Sequence, residues 1–151
     1  MEAFYYKSPI GNLEIICENN ELLSLQISNH IKMEVKKTDF TKNVKLQLDE
    51  YFSGKRQKFE IKINPKGTDF QKLVWNELKK IPYGETKSYS DIAKIVGNKN
   101  AQRAVGFACN KNPILIIVPC HRVISKNGKL GGYAYGNENK QKLLGFEGLK
   151  F

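Results

Sequence analysis

Asn112-Pro113-Ile114-Leu115-Ile116-Ile117-Val118-Pro119-Cys120-His121-Arg122-Val123 is the stretch on which the reading of this chain turns. Its five consecutive aliphatic residues predict a buried strand, because such a run leaves no face for water. The strand would deliver the chain to Cys120 with His121 beside it, a rigid mounting that suits a nucleophile. A free thiol has a pKa of about 8.5, so only a few per cent is thiolate at neutral pH. An imidazole in reach, directly or through one water, takes the proton and activates the sulfur. Cys120 is therefore the candidate nucleophile and His121 its base, with a buried structural cysteine as the competing reading. Glu147, in Gly145-Phe146-Glu147-Gly148, is a candidate third member that orients the imidazole.

Downstream, Gly128, Gly131, Gly132 and Gly136 fall close together with Tyr133 and Tyr135 among them. Such a loop brings backbone amides close to a flat ligand and packs rings around it. Upstream, Thr68-Asp69-Phe70-Gln71 is a capping box. It opens a helix with Phe70, Leu73, Val74, Leu78 and Ile81 as its apolar stripe, ended by Pro82-Tyr83-Gly84. Ser88-Tyr89-Ser90-Asp91 is a second cap, leading a short helix through Ile92, Ala93, Ile95 and Val96. After a turn at Gly97-Asn98, a third helix runs from about Asn100 to Cys109. Two short helices joined by a tight turn are the layout of a helix-turn-helix. Its second helix carries Ala101, Ala104, Val105, Gly106, Phe107 and Ala108, with Arg103 as the sole strong base donor, and its Val105/Phe107 side is expected to pack in the core. Base-specific reading needs several Arg, Asn or Gln side chains, so a close, sequence-tolerant approach to DNA is expected.

The N-terminal part reads differently. Leu13–Cys17 and Leu22–Ile27 predict a hairpin across Glu18-Asn19-Asn20-Glu21. A helix follows over Lys42–Phe52, with Val44, Leu48, Tyr51 and Phe52 on one face and Gly54 past its end. Phe59–Ile63 alternates as an edge strand would, and Asn64-Pro65-Lys66-Gly67 breaks the pattern. The expected architecture is α+β. Residues 1–65 form a small antiparallel sheet with a helix, and residues 66–151 form a mostly helical domain holding the helix-turn-helix and the cysteine strand.

Charge divides along the same line. The 151 residues carry 25 Lys and Arg against 15 Asp and Glu, a net of +10. Residues 1–65 hold ten basic and nine acidic side chains, so the excess lies almost wholly beyond Pro65. That asymmetry points to a polyanionic partner. No apolar run approaches the roughly 20 residues of a membrane span, and Met1-Glu2-Ala3-Phe4 lacks the start of a secretory signal. A cytoplasmic protein is expected. Cys17, Cys109 and Cys120 cannot all pair, and no C-x-x-C spacing occurs, so neither a disulfide framework nor a metal is expected. Cys17 and Cys109 read as packing, Trp75 as core and His30 as an exposed loop residue.

Pro119-Cys120-His121-Arg122-Val123, preceded by Arg103-Ala104-Val105-Gly106 and Asn112-Pro113, resembles the O6-alkylguanine-DNA alkyltransferase family. The likeness continues through Gly131-Gly132-Tyr133 and Lys140 to Glu147-Gly148. Residues 1–65 agree only in outline, around Tyr6-Lys7-Ser8-Pro9-Ile10-Gly11. The resemblance implies single-turnover repair, in which an alkyl group passes irreversibly from O6-alkylguanine in double-stranded DNA to Cys120. It implies that His121 acts through a water and Glu147 polarises it, while Asn112 braces the turn before the cysteine. Tyr89 would donate to guanine N3, and Arg103 would fill the gap left by a flipped nucleotide. Backbone carbonyls of Cys120 and Val123 would accept from the guanine amino group, with Tyr133 and Ala134 at the pocket. Ala134 stands where many members have Ser, so only a backbone N–H is available there. No cofactor is implied, and a monomer is expected. The alternatives are a non-catalytic protein that binds alkylated DNA, as in a related group lacking the acceptor cysteine, and a cysteine hydrolase using Cys120 and His121.

Overall fold

The structure is a computed structural model that describes residues 1–28, 37–97 and 100–151. His30 and Asn98, named above, lie outside the described residues. The chain divides into two compact units, residues 1–66 and 67–151.

In the first unit, β1 (Glu2–Ser8), β2 (Gly11–Glu18) and β3 (Glu21–Ile27) form an antiparallel sheet in the order β1-β2-β3. Asn19 and Asn20 both take positive φ, at 52° and 59°. That is the two-residue turn matching strand twist, and Asn tolerates it better than other side-chained residues. Leu13, Ile15 and Cys17 are buried at alternate positions of β2, the period of a half-buried strand. β1 itself is not apparent in the sequence pattern, where Tyr5, Lys7 and Ser8 dilute the apolar alternation. The helix α1 spans Asp39–Phe52, beginning before Lys42 because Thr38 and Thr41 form a reciprocal cap. Phe59–Ile63 is not a strand: it makes one parallel bridge, Leu22 to Ile63, with Leu22 N donating to Lys62 O and Asn64 N to Leu22 O. The edge of β3 accepts that one bridge and the segment leaves it.

The second unit holds α2 (Asp69–Leu78), β4 (Lys87–Ser88), α3 (Tyr89–Ile95), α4 (Gln102–Asn110), β5 (Val123–Ile124) and α5 (Asn137–Phe146). The fold is α+β as expected. Thr68 and Ser88 cap α2 and α3 through their side chains, with Gln71 and Asp91 answering. The stripe of α2 differs from expectation, since Leu73 is exposed and Trp75 takes the buried place. The indole Nε1 donates to Ala108 O at 2.9 Å, tying α2 to α4. Ile95 is likewise exposed at the end of α3. Among the described residues no helix is long and apolar enough to cross a membrane.

The apolar run before Cys120 is buried but is not a strand. Residues 115–117 turn, and Ile117 N donates to Leu115 O while Val118 N donates to Ile114 O. Ile116 takes φ +74°, a conformation costing a β-branched residue on the order of 1–3 kcal/mol. Burial of Ile114, Leu115, Ile116 and Val118 offsets that cost. Cys120–Arg122 then makes a single 3-10 turn that runs into β5.

Candidate active site

Asn112 builds the turn that carries the cysteine. Its Nδ2 donates to Val118 O at 2.8 Å, and its Oδ1 accepts from Ile114 N at 3.0 Å. One amide side chain thus replaces backbone pairing that a strand would have supplied. The same Nδ2 lies 3.3 Å from Cys120 Sγ. Parallel pairing of Lys87 with Val123 and Ser88 with Ile124 anchors the other side of the turn. Because Tyr89 is the first residue of α3, this short sheet fixes the tyrosine beside the cysteine segment.

Cys120 is 6% exposed. Burial pushes its thiol pKa up, while the Asn112 hydrogen bond and the positive charge of Lys140 act the other way. His121 is wholly buried, and its Nε2 lies 2.6 Å from Glu147 Oε2. Burial lowers the imidazole pKa against the opposing effect of Glu147. A neutral ring facing a carboxylate carries its proton on Nε2, where the carboxylate accepts it. Nδ1 is then the basic atom, and it is buried without a hydrogen-bond partner among the described residues.

Glu147 receives more than the histidine. Arg122 Nε donates to Oε1 at 2.7 Å and Arg122 Nη2 to Oε2 at 3.1 Å, with Gly84 N at 3.2 Å from Oε1. Arg122 also donates to Ile81 O at 2.7 Å. Burial by itself would raise the Glu147 pKa, but His121 and Arg122 together bring it down to about 2. The carboxylate is therefore ionised throughout the physiological range.

Lys140 has no exposed surface, and its ammonium donates to Val123 O at 2.6 Å, Leu130 O at 2.6 Å and Gly132 O at 3.0 Å. Three N–H groups meet three carbonyls, which satisfies the cation and ties the glycine-rich loop to β5. Burial lowers its pKa to about 8, opposed by the thiols of Cys120 and Cys109. The Val123 carbonyl named above as a guanine acceptor is thus already engaged once, with its second lone pair remaining. The loop closes on Tyr89, whose hydroxyl donates to Gly132 O at 3.3 Å. Gly131 has φ +72°, and an added Cβ would come within 3.0 Å of the Tyr89 ring, so this position demands glycine. Burial first, then Cys109 and Cys120, raise the Tyr89 pKa to about 12, keeping the phenol a proton donor.

An open pocket of about 310 Å³ is lined by Tyr89, Gln102, Arg103, Gly106, Asn110 and Gly132. It joins the exposed face of α4 to the glycine loop. Arg103 is exposed on that face. Tyr133 packs edge-on against Tyr135, and Ala134 is exposed. Among the described residues no group of three or more His, Cys, Asp or Glu side chains is placed to hold a metal ion.

Two members of this site belong to the matching segments but receive no role from the sequence. Arg122 reads as a neighbour of the histidine, and only folding shows it bracing Glu147. Lys140 has a sequence signal in hindsight: Lys140, Leu143, Leu144 and Glu147 follow the i, i+3, i+4, i+7 spacing of a buried face. All four are buried. A charge on such a stripe marks a cation or anion that must be paired inside.

Residues 69–149 match the model of the 6-O-methylguanine DNA methyltransferase DNA-binding domain, and residues 3–65 match the ribonuclease-like domain of the same methyltransferase. A methylated-DNA–protein-cysteine methyltransferase of Methanosarcina acetivorans is 48% identical, covering 95% of this chain and 96% of its own length. The constitutive methylated-DNA–protein-cysteine methyltransferase of Bacillus subtilis is 42% identical, covering 96% of this chain and 94% of its own. A Mycobacterium tuberculosis OGT solved in complex with DNA has 42% identity and a TM-score of 0.85, covering 95% of this chain and 90% of that one.

Proposed function

We propose the function from the premise that this chain belongs to the 6-O-methylguanine DNA methyltransferase family, as both of its domain matches place it there. It is a DNA-repair methyltransferase that moves an alkyl group from DNA to one of its own cysteines. The finer reading is that O6-alkylguanine in duplex DNA is the substrate and Cys120 the acceptor. The observation that carries it is the chain of contacts from Arg122 through Glu147 to His121, which leaves imidazole Nδ1 as a buried base one residue from Cys120.

The chemistry follows from those groups. With its pKa raised by burial, the resting sulfur is a thiol, so attack requires a base. His121 Nδ1 takes the proton through a bridging water, and Glu147 stabilises the imidazolium that results. Sγ attacks the alkyl carbon in line. A carbon–sulfur bond forms, the bond from carbon to guanine O6 breaks, and its electron pair leaves with the base. Tyr89 donates its phenolic hydrogen bond to guanine N3 as negative charge develops there. The guanine amino group is held by carbonyls of Cys120 and Val123, and Tyr133 and Ala134 border the pocket. Asn112 keeps the sulfur in position. The thioether has no good leaving group, so each molecule acts once, and no cofactor is required.

The small-residue face of α4 approaches the minor groove, and Arg103 occupies the space of the flipped nucleotide. Residues 66–151 carry this chemistry and residues 1–65 support them. Because every group in the site comes from residues 67–151 of one chain, we assign action as a monomer. The free thiols of Cys17, Cys109 and Cys120 fit a reducing cytoplasm.

Intact mass after incubation with duplex DNA containing one O6-methylguanine, followed by peptide mapping, tests the reading. The expected result is one added methylene on the Cys120 peptide in one-to-one yield. Bound DNA with an unchanged protein mass would reduce the protein to a lesion-binding module. Arg103→Ala should slow transfer from duplex by about a hundredfold and transfer from free O6-benzylguanine hardly at all, since extrusion costs a few kcal/mol only in a duplex. Equal losses in single-turnover rates on both substrates would remove the flipping role.

A further inference from the structure

Phe107 takes no part in the reaction above and, against the expectation that it packs in the core beside Val105, it is 57% exposed on α4 while Val105 is buried. The helix buries Val105, Ala108 and Cys109 on its other side. Phe107 stands one turn beyond Arg103, and one turn further Lys111 holds its Nζ 5.4 Å from the Phe107 ring centre. Arg103, Phe107 and Lys111 therefore form a ridge of cation, aromatic ring and cation at i, i+4, i+8. That order suits a surface with anions at its edges and flat apolar groups between them, as in a nucleic-acid groove. Gly106 and Asn110, beside the ridge, line the open pocket with Tyr89. The small residues of this helix let its backbone approach closely, as a shallow, narrow groove requires. Apolar side chains carried into the minor groove act as wedges that partly unstack a base step and bend the duplex.

We propose that Phe107 is such a wedge, entering the minor groove of alkylated double-stranded DNA and unstacking base pairs beside the nucleotide displaced at Arg103. The inference rests on the DNA-repair reading and deepens it. Four residues of helix separate the two side chains by about 6 Å along the axis, close to two base steps of about 3.4 Å each. The wedge thus acts about two steps from the lesion. By weakening stacking there it lowers the cost of extruding the damaged base, and it adds binding that does not depend on counterion release.

The test places 2-aminopurine at successive steps on either side of O6-methylguanine and reads its fluorescence on binding of Cys120→Ala protein, which forms the complex without reacting. A rise centred about two steps from the lesion, lost in Phe107→Ala and kept in Phe107→Leu, is expected from the helix and duplex repeats. In proteins with Cys120 intact, Phe107→Ala should lower the single-turnover rate on duplex about tenfold, because unstacking no longer assists flipping. Transfer from free O6-benzylguanine should stay unchanged. The exposed position leaves the melting temperature as a control for folding. A duplex rate equal to that of the unaltered protein, or no fluorescence change at any step, overturns the wedge. Equal losses on duplex and free base overturn it too, since the side chain would then act within the fold. Transfer by the unaltered protein separates the two readings: its absence overturns the repair function and the wedge together. Normal transfer with no Phe107 effect overturns the wedge alone.

Discussion

Cys120→Ala is expected to abolish methyl transfer completely while leaving duplex binding within about threefold of the unaltered protein, since groove contacts are made by other residues. The sulfur is buried at the end of a turn held by Asn112, so its removal deletes one heavy atom and costs roughly 1 kcal/mol of stability. That is small against the roughly 5–15 kcal/mol of an ordinary domain. Transfer to either of the other two thiols is not expected. Burial pushes the pKa of Cys109 and Cys17 upward, and neither stands beside a histidine in the sequence as Cys120 does. Intact mass and a gel-shift titration on the same preparation check both halves of the expectation. A methylated peptide containing Cys109 or Cys17 in the variant would move the acceptor role elsewhere, and lost binding would mean that the turn itself collapses.

Glu147→Gln carries the largest combined effect on rate and stability. The carboxylate accepts from His121, twice from Arg122 and from Gly84. A carboxamide keeps one oxygen and turns an NH2 group toward donors, leaving the Arg122 charge buried and unpaired. Breaking a buried pair from one side costs about 3–5 kcal/mol. Loss of the oriented imidazole removes about 10²–10⁴-fold of general-base assistance. Glu147→Asp keeps the charge and separates the two effects: it should recover much of the stability while the rate stays low. A stable, fully active Glu147→Gln protein would eliminate the relay.

The same groups set the acid sensitivity of the unaltered protein. His121 has a pKa below its ordinary 6.5 in the folded state. The unfolded chain therefore binds the proton first, and stability present above about 6.5 declines as pH falls beneath it. Glu147, lowered from 4.5 to about 2, contributes stability that is complete above about 4.5 and lost as pH drops toward 2. Both act in one direction, so unfolding free energy should fall steadily on acidification. Glu147→Gln should lose the lower part of that dependence, as read by chemical denaturation at a series of pH values.

Local chemistry left clear marks in the sequence. Thr68 with Gln71 and Ser88 with Asp91 start their helices where capping residues must, because the first-turn amides need partners close in sequence. The Asn19-Asn20 turn and the alternation of Leu13, Ile15 and Cys17 are legible for the same reason. That His121, the candidate base, directly follows Cys120 needs no tertiary knowledge either. Ile114–Val118 shows the boundary of that legibility. Its aliphatic content announces burial, but burial does not distinguish a strand from a turn. The outcome was decided by Asn112, whose amide supplies the hydrogen bonds of a turn, and by packing that holds Ile116 at positive φ. Phe59–Ile63 alternates like a strand yet finds only one bridge at the edge of β3.

Composition, caps and adjacent residues determined the helix-turn-helix and the basic half of the chain, and they marked Cys120 and His121 as the candidate nucleophile and base. Only the tertiary structure decided that Glu147 meets His121 and Arg122, that Arg122 reaches Ile81, and that Lys140 gathers three carbonyls. Those partners stand 8 to 41 residues apart. Their charges are buried, so each is tolerable only where folding supplies a partner of matching geometry. Which carboxylate, carbonyl or ammonium arrives there depends on how helices and turns pack, a property that no short window of residues contains.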